Sequence, residues 1–317
     1  MGGIVARQKQ KFSVAIQTEG YQKLIKNTLG DPERAKRFVA SITSAVAVNP
    51  ALQDCDAGSV LAGALLGESL NLSPSPQLGQ YYLIPFRTAV KGPDGKTVYK
   101  VDEKGDYLLD ERGKKIPEYE MKASFVIGFR GILQLAIRSG QYLDIDAMEI
   151  KEGEFLGKDK ATGKPRFEFI EDDDVRESLP TVGYMAYFEY LNGFKKVLYW
   201  SKKKMLAHAS KYSPAFNAGI YEKLLNNEIP EKDKWKYSSH WYQDFDEMAK
   251  KTMLRQLISK WGITSVEMQT AVVKDGTLAR ISGGEVVTEE PEEIVTMPGI
   301  VQPEFTDVQN QVNLDEI

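Results

Sequence analysis

Apolar positions first recur at helical spacing after residue 30. Asp31-Pro32-Glu33 is a helix start: an N-cap residue, proline at the first helical position, then an acid. Phe38, Val39, Ile42 and Val46 follow on one face, and Asn49-Pro50 ends the helix. Asp56 caps a second helix to about Leu70, where Ala57, Gly58, Ala62, Gly63, Ala64 and Gly67 allow close packing. Ser73-Pro74-Ser75-Pro76 turns the chain into a strand-like run, Tyr81 to Phe86.

The pattern breaks from Arg87 to Glu120, which is rich in charge and holds Gly92, Gly95, Gly105 and Gly113. That composition reads as an exposed hairpin insertion or partly ordered loop. A strand at Ala123–Ile127 and a short helix from Phe129 to Ser139, closed by Gly140, come next. Strand-like runs follow at Tyr142–Ile150 and Arg166–Ile170. Two alternating arms from Val182 to Trp200 meet at Asn192-Gly193, the pair favoured in a type I′ hairpin turn. Ser201 caps a helix to about Lys211, and a long helix runs from Trp241 to Trp261, ending at Gly262. No repeat stands out. The expected fold is α+β, an antiparallel sheet and hairpin core packed with helices, a long C-terminal core helix and a disordered acidic tail. The expected division is an N-terminal segment at 1–30 serving as an arm or oligomer contact, a core at 31–275 with an insertion at 87–120, and a tail at 276–317.

Charge changes the picture. The chain has 317 residues and a net charge of −4, from 41 basic and 45 acidic residues. Nine of the acids, and no Lys or Arg, lie between Ile281 and Ile317 with three prolines, so the first 280 residues carry 41 − 36 = +5. Leu191 to Lys260 alone holds fourteen cations against seven acids. A basic body with an acidic tail suits a polyanionic ligand; a solvated charged surface is the competing explanation. No apolar run reaches the roughly 18 residues of a membrane span, and no signal peptide is legible. Met1-Gly2 lacks the hydroxyl residue of a myristoylation site, because the sixth position is Ala6. A lone cysteine, Cys55, excludes an internal disulfide and reads as a small buried residue. A reducing cytoplasm, that of a bacterial host cell, is the expected location.

Enzyme signatures fail. A phosphate loop needs four residues between its glycines, then Gly-Lys-Ser/Thr. Gly92 to Thr97 has two, and Gly157 to Gly163-Lys164-Pro165 has five, with proline where the hydroxyl belongs. Two histidines, His208 and His240, and one cysteine do not make a dedicated zinc site. Glu171-Asp172-Asp173-Asp174 reads as a solvated acidic loop. Asp110 with Glu120 and Lys122 faintly resembles the acids and lysine of metal-dependent nucleases. That enzyme, and a structural self-assembly protein, are the alternatives to binding a polyanion.

Ser201-Lys202-Lys203-Lys204 places three cations in the first turn of a helix, already the positive end of its dipole. Such cations cost roughly 0.3–1 kcal/mol each, so their presence points to a phosphate anchor; solvent-facing lysines whose stems cover apolar surface are the competing explanation. Arg130, Gln134 and Arg138 form one stripe of the helix after Gly128. On the long helix, Asp244, Glu247, Lys251 and Arg255 share a side, with Glu247 and Lys251 spaced as a favourable pair; Lys250 lies beside Leu254.

Three blocks in order resemble the RecT family of phage single-strand annealing proteins. The first comprises Asn49-Pro50, Leu52, Cys55, Ala64, Leu70 to Pro74 and Gly79 to Phe86; the second Gly128-Phe129-Arg130-Gly131, Leu135-Ala136 and Arg138-Ser139-Gly140. The third comprises Trp241, Asp244-Phe245, Met248 to Thr252 and Leu254-Arg255, and the likeness spans about residues 35 to 265. The resemblance implies a protein without ATP dependence or a covalent step that binds single-stranded DNA, anneals complementary strands to a duplex and works as a homo-oligomeric filament or ring. It implies a partner exonuclease; the tail would dock that exonuclease or a host single-strand-binding protein. No cofactor is required, and magnesium enters only as a DNA counterion. The expected DNA-binding set is Arg130, Gln134, Arg138, Lys195, Lys196, Lys202, Lys203, Lys204, Lys211, Lys250, Lys251 and Arg255.

Overall fold

The computed structural model describes residues 11–289, apart from 93–94, 214, 238, 263–264 and 283–284. In chain order, helices α1 (Phe12–Ala15), α2 (Glu19–Leu29) and α3 (Pro32–Val48) lead through a 3-10 turn at Pro50–Asp54 to α4 (Ala57–Ser69). Strands β1 (Tyr81–Ala89) and β2 (Tyr119–Ile127) flank the insertion, and α5 (Phe129–Arg138) follows. Then come β3 (Tyr142–Lys151), β4 (Phe155–Lys158), β5 (Pro165–Phe167), α6 (Asp173–Ser178), β6 (Thr181–Tyr190) and β7 (Lys195–Ser201). Helices α7 (Lys202–Tyr212), α8 (Ala218–Leu225), α9 (Glu231–Lys234), α10 (His240–Gln243), α11 (Phe245–Trp261) and α12 (Val266–Lys274) precede a last pair of strands, β8 (Leu278–Ser282) and β9 (Glu285–Glu289). The fold is α+β, with antiparallel sheets packed by helices. No helix among the described residues is long and apolar enough to cross a membrane.

One compact unit takes its described residues from 11–75, 82–126 and 277–289. Its sheet runs β1-β2-β8-β9. Helix α4 is buried along most of its length, which is why its sequence is apolar and small. At Gly63 a Cβ would lie 2.8 Å from the Leu83 side chain, so the helix sits as close as glycine permits. Both expected caps form: the carboxylate of Asp31 accepts from Glu33 N, and that of Asp56 from Ser59 N at 2.8 Å. Cys55 is fully buried. Phe12, Ile16 and Ile25 are each 1% exposed, so residues 11–30 belong to this core rather than forming a free arm.

The expected division at 275 also moves. Leu278 and Ala279 are buried, and β8 pairs with β2 and β9, so the folded chain continues to residue 289. Residues 290–317 lie outside the described residues.

The insertion is a hairpin extension with internal order. Three turns repeat along it, at 92–96, 102–106 and 110–114, each closed by the same backbone hydrogen bonds. Asp102 and Asp110 each accept two backbone N–H groups within their own turn. The three arms then join in two cyclic triads. Val98 donates to Val90, Val90 to Glu118 and Glu118 to Val98; Leu108 donates to Lys100, Lys100 to Ile116 and Ile116 to Leu108. Spacings of ten and eight residues are far shorter than the periods of 20–50 by which repeats are usually found, so the sequence showed none.

The second unit takes residues 76–81 and 127–276. Its sheet runs β3-β6-β7, with Ala147 facing Ala186 and Ala186 facing Leu198. One face lies on α11: Tyr184, Ala186 and Phe188 are buried there, and the Tyr184 hydroxyl donates to Asp246 at 2.5 Å. Two expectations are corrected. At Asn192-Gly193 only Gly193 has positive φ, +82°, and Gly193 N donates to Tyr190 O, giving a three-residue loop rather than a type I′ turn. The long helix is broken at Asp244 (φ −147°, ψ 67°), whose backbone leaves the helical region, into α10 and α11. The strand at 166–170 ends at Phe167, and α12 lies where the sequence reading placed no element.

Candidate nucleic-acid interface

The expected cations fall into two groups, separated by whether an acid already neutralises them. On α11, Arg255 and Lys251 turn inward. Arg255 Nη1 donates to Asp275 Oδ2 at 2.5 Å, Lys251 Nζ lies 3.7 Å from the same oxygen, and both side chains are at most 8% exposed. The Asp275 carboxylate is fully buried and also accepts from the backbone N–H of Ile127, two residues before α5. Lys251 and Arg255 therefore help to fix the start of α5. The expected Glu247–Lys251 pair does not form, because Lys251 is drawn to Asp275. Lys250 takes Glu247 instead, at 2.5 Å, and lies 3.6 Å from Glu149 of β3. On β7, Lys195 is paired with Glu189 at 2.7 Å.

Helix α7 differs. The Ser201 hydroxyl caps it, accepting from Lys204 N at 3.3 Å, and the next three residues are Lys202, Lys203 and Lys204. Among the described residues none of the three has an acidic partner. Lys204 Nζ lies 4.3 Å over the Trp200 ring. Burial, then the charge of Lys158, pushes the Lys204 pKa below its ordinary value. Lys158, on β4, belongs to this cluster and was missed in the sequence. Alternation puts it on the opposite face from Phe155, and only the register slip at Gly157 (φ +96°) brings it round. That glycine inside a strand was the available signal.

Cation–aromatic contacts extend the surface. Lys196 and Lys260 lie 4.3 and 4.9 Å from the Trp261 ring, and Lys211 lies 4.9 Å from Tyr212. His208 sits between Trp200 and Tyr212 at 5.1 and 4.6 Å. Lys260 was likewise not among the expected residues.

The α5 stripe is a separate feature. Arg130 and Arg138 are exposed and Gln134 is half-buried. Arg130 Nη1 donates to Gln77 O at 3.3 Å. Gly131 is the residue the geometry demands, since a Cβ there would lie 2.0 Å from Gln80 O. Gln80 O also accepts from Gly128 N, so Gly128 and Gly131 hold residues 77–80 against the start of α5.

The acids of the nuclease alternative are engaged structurally. Asp110 Oδ1 accepts from Arg112 N and Lys114 N, and Glu120 pairs with Lys122 at 2.9 Å. Among the described residues no group of three His, Cys, Asp or Glu side chains is arranged to hold a metal ion.

Comparison with known proteins gives a consistent picture. The sequence model of the RecT family matches residues 36–294, so the likeness runs through β8 and β9 rather than stopping near 265. The chain is 31% identical over 302 residues to the uncharacterized protein YqaK of Bacillus subtilis (strain 168), covering 90% of this chain and 85% of that one. It is 27% identical over 247 residues to Protein RecT of Escherichia coli (strain K12), covering 76% and 71%.

Proposed function

The chain belongs to the RecT family, a membership that carries a general role in recombination by single-strand annealing, and from that premise we propose that it binds single-stranded DNA and anneals complementary strands without ATP. It works as a homo-oligomeric nucleoprotein assembly in the cytoplasm of a bacterial host and receives its strands from a partner exonuclease. Annealing needs no nucleophile and no metal. It needs cations that hold phosphates while base edges stay free. Magnesium acts only as a counterion of the DNA.

One observation supports this reading: Lys202, Lys203 and Lys204 fill the first turn of α7, its positive end, and neither they nor Lys158, whose charge acts on Lys204, have an acidic partner among the described residues. Arg130, Gln134, Arg138, Lys196 and Lys211 add contacts. Lys195, Lys250, Lys251 and Arg255 bind DNA only if the strand displaces their carboxylates. The test incubates the purified full chain with end-labelled complementary oligonucleotides, with and without magnesium and ATP. Duplex formed in the absence of nucleotide is the expected result. Shortened strands would indicate the nuclease instead, and unchanged strands a purely structural protein.

A further inference from the structure

The β4–β5 hairpin carries a row of aromatic rings that the core does not close over. Phe155 stacks on Tyr199 of β7 at 4.2 Å with planes 20° apart, and Phe167 meets the same Tyr199 at 5.6 Å, edge to face. Phe169 continues the row, stacked on Phe167 at 6.0 Å and 18°. Tyr199, Phe155 and Phe167 are half-buried, whereas Phe169 is 44% exposed, so the row opens outward. Tyr199 lies so close to Gly183 that a Cβ there would sit 2.5 Å from its ring, which fixes the inner end.

The same hairpin supplies charge. The register slip at Gly157 sets Lys158 opposite Pro165, on the face of Phe155 and Phe167. There it approaches Lys204, close enough that the two ammonium groups repel. Neither has an acidic partner among the described residues. Two like charges that act on each other with no carboxylate among the described residues make this edge of the hairpin attractive to an anion.

We propose that this aromatic row, edged by Lys158 and Lys204, is a stacking platform for the unpaired bases of a single strand. The bases reach Phe169 and Phe167, and the phosphates meet the two lysines. This deepens the function proposed above and rests on it. The two unneutralised lysines favour a polyanion over a second copy of the chain as occupant. The exposed ring of Phe169 favours unpaired bases over duplex, whose bases are already stacked.

The test compares binding of the full chain to oligothymidylate and to an abasic strand of equal length and charge. Phe169 is exposed, so Phe169→Ala leaves the fold intact. It should weaken oligothymidylate binding about five-fold or more, leave the abasic strand unchanged, and be rescued by Phe169→Trp. Lys158→Ala should weaken both strands and lower the salt slope by roughly 0.7. If Phe169→Ala affects both strands equally, or neither, while the unaltered protein still binds them, the platform is wrong and the proposed function survives. If Phe169→Ala changes sedimentation but not base dependence, the row is a subunit contact and the platform is rejected. If the unaltered protein binds neither strand, the proposed function itself falls.

Discussion

The first turn of α7 and the middle of α11 look alike in the sequence, each a short cluster of cations on a helix. In the structure they are opposites. On α11, Lys250, Lys251 and Arg255 each meet a carboxylate, and the last two are buried on Asp275. On α7, Lys202, Lys203 and Lys204 meet none among the described residues, and Lys158 joins them as a fourth cation. The difference teaches that basic residues report a ligand only where the fold has not already supplied the anion. The α11 cations hold α5 in place through Asp275 and Ile127 N; those on α7 remain available to phosphate.

The comparison breaks most sharply at Asp275. Asp275→Ala removes the acceptor shared by Arg255, Lys251 and Ile127 N and takes the neutralising carboxylate from two buried cations. A loss of about 3–5 kcal/mol in denaturant unfolding is expected. A variant within about 1 kcal/mol of the parent would mean that this pairing does not hold α11 and α5. Gly131→Ala comes next, because a methyl 2.0 Å from Gln80 O forces backbone apart; about 1–3 kcal/mol is expected from the same measurement.

Truncation sharpens the boundary between fold and tail. Stopping after Arg280 cuts β8 and removes β9, so the melting temperature should fall. Stopping after Glu289 keeps both strands and removes seven of the nine acids that follow Ile281. That shorter chain should melt like the parent and anneal as fast or faster at low salt, the gain fading as salt screens the tail. Equal melting of the two truncations would show β8 and β9 to be dispensable. The smallest effect belongs to Arg130→Ala. Its side chain is exposed, so stability should change by about 0.5 kcal/mol while annealing falls. A collapse in melting temperature would make Arg130 a structural residue through its bond to Gln77 O.

Much of the fold was legible because local chemistry dictated it. Asp31 and Asp56 cap the helices their sequence announces, and Gly140, at φ +66°, closes α5 as expected. What was not legible depends on distant partners. Nothing near Lys251 or Arg255 shows that Asp275, twenty or more residues away, will neutralise them. Nothing near Lys158 shows that a bulge will turn it toward Lys204. The triads of the insertion join residues up to 28 apart, Val90 to Glu118, through backbone groups that carry no side-chain signature. Three of the four cations at α7 were thus visible as a broken helix-dipole rule at Lys202–Lys204, and the sorting of the remaining cations required the fold.

The most direct test is the salt dependence of single-strand binding by the full chain with Lys202, Lys203 and Lys204 all changed to Ala. At roughly 0.7 per phosphate contact, the slope of log affinity against log salt should flatten by about 2 units, for every sequence alike. The melting temperature should hold or rise, because three cations leave the positive end of a helix. An unchanged slope would contradict the account outright, since the cations left without an acid would then not be those that meet the DNA.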